Sequence, residues 1–104
     1  MWIFTNKGFI SMVENRDDKT TLMVRARNRK HLKALFPDAV ITKTPSADYM
    51  FRAVIPKGEA ATVIAMHVMG IDYDNYKNSI KENEYHLACA GVWHVMYNYQ
   101  EEVD

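Results

Sequence analysis

The segment TTLMVRAR, Thr20 to Arg27, alternates apolar and other side chains along most of its length. An extended chain would place Leu22, Val24 and Ala26 on one side, and Met23, Arg25 and Arg27 on the other. A period of two is typical of a strand that buries one face and exposes the other. The segment therefore predicts a β-sheet with one dry face and one basic face.

Two hairpins can be built around this strand. GFISMVEN, residues 8–15, has the composition of a partner strand, and the polar RDDK that follows it is typical of a hairpin turn. Downstream, AVITKT (39–44) and YMFRAVI (49–55) flank the turn residues PSAD. Both faces of YMFRAVI are largely apolar, so its pattern leaves open which face packs inward.

The remaining segments have helical spacing. NRKHLKALFP (28–37) offers Asn28 as an N-cap and ends at Pro37, and PKGEAATVIAMHVMG (56–70) begins at proline and ends at glycine. A third helical pattern runs from Asp74 to about Gln100. The predicted order is β-β-α-β-β-α-α in a single domain over residues 1–104. This is an α+β fold: a four-stranded, mainly antiparallel sheet with helices packed on one face.

Composition restricts the cellular setting. The 104 residues include one cysteine, Cys89, so no disulfide can form within the chain. No apolar run approaches the roughly 20 residues of a membrane span, and MWIFTN is too short for a signal-peptide core. These features predict a cytoplasmic protein without a membrane anchor. Net charge is zero, yet residues 1–52 carry +5 and residues 53–104 carry −5, which allows an oriented partner.

Residues that commonly serve catalysis or bind cofactors are scattered. The four histidines show no zinc-site spacing, the serines and Cys89 lack a nucleophile motif, and the four glycines form no phosphate-binding loop. We therefore expect no metal, no cofactor and, on balance, no enzymatic activity. A small enzyme with a site near Asp72 and His86 stays open as an alternative, because a tyrosine-rich loop lies beside Asp72.

The loop GIDYDNYKNSI, residues 70–80, resembles the start of a calcium loop. Asp72 and Asp74 match the first two ligand positions of such a loop. Counted from Asp72, however, its fifth, sixth and twelfth positions hold Tyr76, Lys77 and Asn83, where calcium requires an oxygen ligand, a glycine and a bidentate carboxylate. The better interpretation is a helix entrance capped by Asp72 or Asp74. Tyr73 and Tyr76 then pack on the core or contact a partner.

Basic residues concentrate in RARNRKHLK, residues 25–33. Arg25 and Arg27, with Arg52 from the last strand, can bind a partner from the exposed side of the sheet. An acidic protein surface and a nucleic acid are both candidate partners, although zero net charge is uncommon for a nucleic-acid-binding domain. A solvated face that only protects the sheet edge is the simplest alternative.

Several segments carry a resemblance that extends over nearly the whole chain: WIFTNKGFIS, LMVRAR, ALFPDA, ADYMFRA, IDYDNYKNS and YHLACAGVWHVM. With them the chain resembles a group of small proteins of bacteria and their phages or other mobile elements, to which no activity is assigned. The resemblance implies a shared fold and a mobile-element context. An inhibitor of a host system, such as an anti-defence (anti-CRISPR-like) protein, is one function consistent with that context.

The leading hypothesis is a non-enzymatic binding protein that engages a protein partner. Its predicted contact residues are Arg25, Arg27, Arg52, Tyr73 and Tyr76. A nucleic-acid-binding module that uses the basic side of the sheet is the main alternative. A homodimer through an exposed sheet face is a further possibility for the assembly.

Overall fold

A computed structural model of the chain describes residues 1–103. They form an α+β protein in two compact units, the first from Met1 to Asp72 and the second from Tyr73 onward. The first unit holds all the strands and two helices, and the second holds two further helices. Within residues 1–103, no helix combines the length and the apolar composition that are needed to cross a membrane.

The first unit is built on a fully antiparallel sheet of five strands, in the spatial order β1-β2-β3-β5-β4. The strands are β1 (Trp2–Thr5), β2 (Gly8–Glu14), β3 (Thr21–Ala26), β4 (Thr42–Lys43) and β5 (Phe51–Pro56). The antiparallel sheet and both predicted hairpins are confirmed. The predicted strand number is wrong because β1 was not predicted. The predicted element order is wrong for the same reason, and because the last predicted helix is divided into two.

Strand β1 was not predicted because its segment WIFT has three consecutive apolar residues and therefore shows no alternation. Its turn also lacks a typical hairpin dipeptide. The turn is stabilised instead by Thr5, whose Oγ1 accepts hydrogen bonds from the backbone N of Lys7 and of Gly8, both at 3.1 Å. Strand β4 is shorter than AVITKT, since only Thr42 and Lys43 pair with β5.

Two helices, α1 (Arg29–Leu35) and α2 (Lys57–Met69), pack on the sheet and enclose the core. Asn28 caps α1 as predicted, because its Oδ1 accepts from the Lys30 N at 2.9 Å. The core is formed by the inward side chains of β2, β3 and β5 and by apolar residues of the helices: Ile10, Met12, Val24, Ala26, Leu32, Leu35, Phe36, Ala53, Ile55 and Ala60.

The structure resolves which face of β5 is inward. Ala53 and Ile55 are buried with Phe51 packed beside them, whereas Arg52 and Val54 lie on the opposite side. The alternation predicted for β3 is also confirmed, with Val24 and Ala26 fully buried.

The second unit contains α3 (Tyr76–Ser79) and α4 (Asn83–Val103). The predicted continuous helix from Asp74 is wrong, because the chain leaves helical geometry at Ile80 and starts again after Glu82. The Glu82 carboxylate caps the N-terminus of α4, because it accepts hydrogen bonds from the backbone N of Glu84 and of Tyr85 at 3.1 and 2.6 Å.

The predicted capping of this entrance by Asp72 or Asp74 is also wrong. Asn75 caps α3, with its Oδ1 accepting from the Asn78 N at 3.1 Å. A short side chain caps only when its residue directly precedes the first helical turn, and Asn75 occupies that position. Gly70 does end α2, as predicted.

Candidate functional site

The sheet face opposite α1 and α2 is called the open face below. Cross-strand pairing places three rows of side chains on it. The first is apolar (Val13, Met23, Val54), the second is mixed (Trp2, Ser11, Arg25, Arg52, Thr42) and the third is aromatic (Phe4, Phe9). Three of the five predicted contact residues lie on or beside this face.

Those three residues, Arg25, Arg27 and Arg52, form the arginine cluster. They gather around Tyr49, which precedes β5 and is only 4% exposed. The guanidinium carbons of Arg25 and Arg27 lie 4.6 and 4.4 Å from the centre of the Tyr49 ring, a cation–π arrangement. The Phe9 ring lies 6.4 Å from Tyr49 on the aromatic side. Tyr49 is therefore a buried platform for the two guanidinium groups.

Backbone carbonyls hold the cluster in place as well. Arg27 Nη1 donates to the Asp48 carbonyl at 2.9 Å, and Arg52 Nε donates to the Tyr49 carbonyl at 3.3 Å. The segment before β5 thus contacts all three arginines. This fixes their orientation before any partner arrives, which lowers the entropy lost on binding.

The positive charge of the cluster is only weakly compensated. Among residues 1–103, the single ion pair of the cluster joins Arg52 Nη2 to Asp48 Oδ1 at 3.7 Å, and the Asp48 side chain is 69% exposed. Arg25 donates from Nη2 to the neutral Ser11 Oγ at 2.8 Å, while its buried Nε has no hydrogen-bond partner. Exposed ion pairs contribute little, so an excess of positive charge persists at this site.

Apolar surface borders the cluster on both sides. Trp2 is 68% exposed, and its ring meets Phe9 edge-on at 5.9 Å, while Phe4 stacks on Phe9 at 4.4 Å. On the other side, Val54 is half exposed beside a shallow groove of about 340 Å³. The groove is lined by Met23, Val40, Thr42, Arg52, Ala53 and Val54.

The other two predicted contact residues belong to the second unit. The Tyr76 hydroxyl lies 3.2 Å from the Tyr85 hydroxyl and 3.6 Å from Cys89 Sγ, and the Tyr73 ring packs at 6.2 Å from the Tyr76 ring. Burial raises the pKa of both Tyr76 and Tyr85, because the phenolate is poorly solvated there. Tyr76 thus contributes to the packing of its own unit.

The residues of the enzymatic alternative fall in different units. Asp72 is exposed at the end of the first unit, and His86 belongs to α4 in the second, where its Nδ1 donates to the Lys77 carbonyl at 2.7 Å. Within residues 1–103, no three side chains of the metal-ligating types are grouped closely enough to hold an ion.

Sequence reasoning missed the aromatic part of the open face. Trp2, Phe4 and Phe9 come together only through the β1–β2 pairing, which was not predicted. Strict alternation along YMFRAVI would place Tyr49 on the same side as Phe51 and opposite Arg52, but Tyr49 lies outside the strand and contacts Arg25 and Arg27. The ADYMFRA segment gave no signal for this departure, since strict alternation fits it equally well.

Comparison with known proteins adds no relative: no family model, no curated protein and no solved structure matches this chain.

Proposed function

We propose that this is a non-enzymatic binding protein whose open face engages an acidic surface of a protein partner. The observation that carries the proposal is the arginine cluster: Arg25, Arg27 and Arg52 converge on Tyr49 and form one long ion pair, between Arg52 and Asp48, within the described part of the chain. Arginine offers a planar fork that binds carboxylates through two parallel hydrogen bonds. A carboxylate of the partner would therefore find oriented donors.

The composition around the cluster supports a protein partner. Met23, Val54 and Trp2 provide apolar and aromatic area next to the cations. Arginine, methionine and aromatic residues are the types enriched in protein interfaces, and they dominate the binding energy. The mobile-element context implied by the resemblance makes an inhibitor or modulator of a host system, such as an anti-defence protein, the narrower form of the proposal.

Single-stranded nucleic acid is the second candidate. The observation that favours it is the exposed Trp2, which shares a cross-strand row with Arg25 and Arg52. A base could stack on the indole while the arginines contact phosphates. Tyr49 could not serve in this way, because the guanidinium groups and the fold already cover its ring.

The proposal is tested by capture from host lysate followed by quantitative mass spectrometry. We expect Arg25→Glu/Arg27→Glu to lose the specific partner that the unmodified chain retains. The matched control is Lys30→Glu/Lys33→Glu, which makes the same charge change at exposed positions of α1 on the other side of the sheet. Equal retention by both double variants would overturn the assignment of the open face. Circular dichroism of each variant verifies that it is folded.

Fluorescence titration with oligonucleotides separates the second candidate. If nucleic acid is the ligand, a single-stranded oligonucleotide should bind at low salt, weaken steeply as salt rises, and quench Trp2. Trp2→Ala should then reduce the affinity by roughly 1–3 kcal/mol. The absence of binding at low salt would exclude nucleic acid as the ligand and leave the protein partner as the candidate.

A further inference from the structure

Helix α4 exposes a large apolar surface beyond its first two turns. Most of the large hydrophobic side chains from Val92 onward are half exposed or more: Trp93, Val95, Met96, Tyr99 and Val103, with Tyr97 at 46% and Val92 at 39%. Helices of folded proteins usually bury such a stripe against another element. The second unit therefore leaves apolar surface of α4 without a packing partner inside that unit.

The spacing of these residues is regular. Tyr85, Cys89, Val92, Met96, Tyr99 and Val103 follow one another at alternating steps of four and three residues. That spacing is the heptad seam through which two helices pack side by side. The first two positions, Tyr85 and Cys89, are buried within the second unit, whereas the last four form an exposed seam.

The residues that flank the seam extend it. Trp93 and Val95 occupy the positions on its two sides, and Trp93 is held in place by the Tyr97 ring at 5.5 Å and by Lys77 Nζ at 4.3 Å. The opposite side of the helix is polar, with His94, Asn98 and Glu101. The helix is thus amphipathic along the half where its seam is exposed.

We infer that the occupant of the exposed seam is the same seam of a second copy of this chain. Two copies related by a two-fold axis present the same surface to each other, so each apolar seam meets a second heptad seam into which it can pack. The four exposed seam residues and the flanking Trp93 and Val95 make six side chains on each copy. If each exposes roughly 100 Å², their burial would remove about 600 Å² per partner from solvent, close to the ~800 Å² of a standard interface.

Charge argues against a membrane surface as the occupant. Residues 73–104 contain two basic and six acidic side chains, a net charge of −4, and the two basic ones, Lys77 and Lys81, precede α4. Amphipathic helices that lie on membranes carry lysine and arginine on their polar face to attract anionic lipids. The polar face of α4 carries acidic residues instead.

Sedimentation of the full chain across the micromolar range is the first test. We expect a species of twice the 12.1 kDa chain mass for the unmodified protein. Met96→Glu, which places a carboxylate in the seam, should halve that mass, and Asn98→Glu, with the same charge change on the polar side, should not. An unmodified chain that stays monomeric would overturn the inference, and so would a Met96→Glu dimer.

Disulfide cross-linking in a Cys89→Ala background locates the contact independently. Met96 lies near the middle of the exposed seam, so its two copies should be adjacent whether the helices run parallel or antiparallel. Met96→Cys should form a covalent dimer on oxidation, and Asn98→Cys should remain uncross-linked. Equal cross-linking of both variants would overturn the inference.

Two further results would assign the surfaces differently. A dimer that is lost in Arg25→Glu/Arg27→Glu but kept in Met96→Glu would place the contact on the open face. A monomer that co-sediments with phosphatidylcholine vesicles would indicate that the seam binds a lipid surface. The seam is tested on the purified chain through Met96→Glu, and the arginine cluster is tested by capture from lysate through Arg25→Glu/Arg27→Glu, so this inference and the proposed function fail separately.

Discussion

The two units use their apolar residues in opposite ways. In the first unit the sheet and two helices enclose a cluster of fully or almost fully buried side chains, while among residues 73–103 only Ile80, Tyr85 and Cys89 are buried and most of α4 is exposed. Small structures have too little interior to bury their own apolar surface. The first unit thus buries most of its large apolar side chains against one another, whereas the second leaves most of those of α4 exposed.

A matched pair of leucine substitutions, one in each unit, tests this difference in burial with the largest expected effect. Leu32→Ala, at a fully buried position of α1, should lower the free energy of unfolding by about 2–5 kcal/mol, since it leaves a cavity. Leu87→Ala, at a 62% exposed position of α4, should change it by less than about 0.5 kcal/mol. Urea unfolding measures both, and equal costs would show that the contrast between the units is wrong.

Two substitutions of Tyr49 test whether its buried ring stabilises the first unit beneath the arginine cluster. Tyr49→Ala should cost about 3 kcal/mol, because it removes a buried ring together with the platform of Arg25 and Arg27. Tyr49→Phe retains the ring and should cost less than about 1 kcal/mol. Thermal unfolding compares the two variants. If the alanine variant is as stable as the phenylalanine variant, the platform does not contribute to stability.

Two glycines give effects of opposite sign. A Cβ at Gly8 would lie 2.6 Å from the Cβ and Cγ of His31, so Gly8→Ala should lower the free energy of unfolding by roughly 1–3 kcal/mol. A Cβ at Gly91 in α4 meets no atom within 4 Å, so Gly91→Ala should raise it by about 0.5–1 kcal/mol through helix propensity. Urea unfolding of both variants measures the signs, and a stabilising Gly8→Ala would contradict the packing of β2 on α1.

The second unit should be sensitive to alkaline pH. The folded state raises the pKa of Tyr76 and Tyr85, chiefly through burial, so their contribution to stability is complete below the unfolded pKa of about 10. It should be lost as pH rises from there, because the unfolded chain ionises first. Phenolate absorbance and helical circular dichroism should change together. Tyr76→Phe should weaken this loss, and an unchanged profile would refute the role of the pair.

Most of the first unit could be predicted from alternation and turn chemistry. The β2–β3 hairpin, Asn28 as the cap of α1 and the inward side of β3 follow from local patterns that the fold preserves. Strand β1 could not be found, because its side chains are apolar on both faces. Because β1 was not predicted, the aromatic row of the open face could not be predicted either.

The candidate site was predictable in part. The alternation of β3 predicted Arg25 on the exposed side of the sheet, whereas that of β5 left the side of Arg52 open. The two arginines lie side by side because β3 and β5 pair in register, and alternation does not fix that pairing. The role of Tyr49 depends on where β5 begins, and strand ends are not fixed by alternation. In the second unit, α3 begins at the Asn75 cap and α4 at the Glu82 cap after the break at Ile80, and helical spacing alone marks neither start.

The pairing of Arg25 with Arg52 has a practical consequence. Like charges placed directly opposite on neighbouring strands repel each other, so the unbound protein is less stable than its packing would allow. An anion that bridges the two guanidinium groups would remove this repulsion, and a ligand that binds only the folded state raises its melting temperature. A thermal-shift screen of carboxylates and phosphates would therefore detect ligands of this surface even while the natural partner is unidentified.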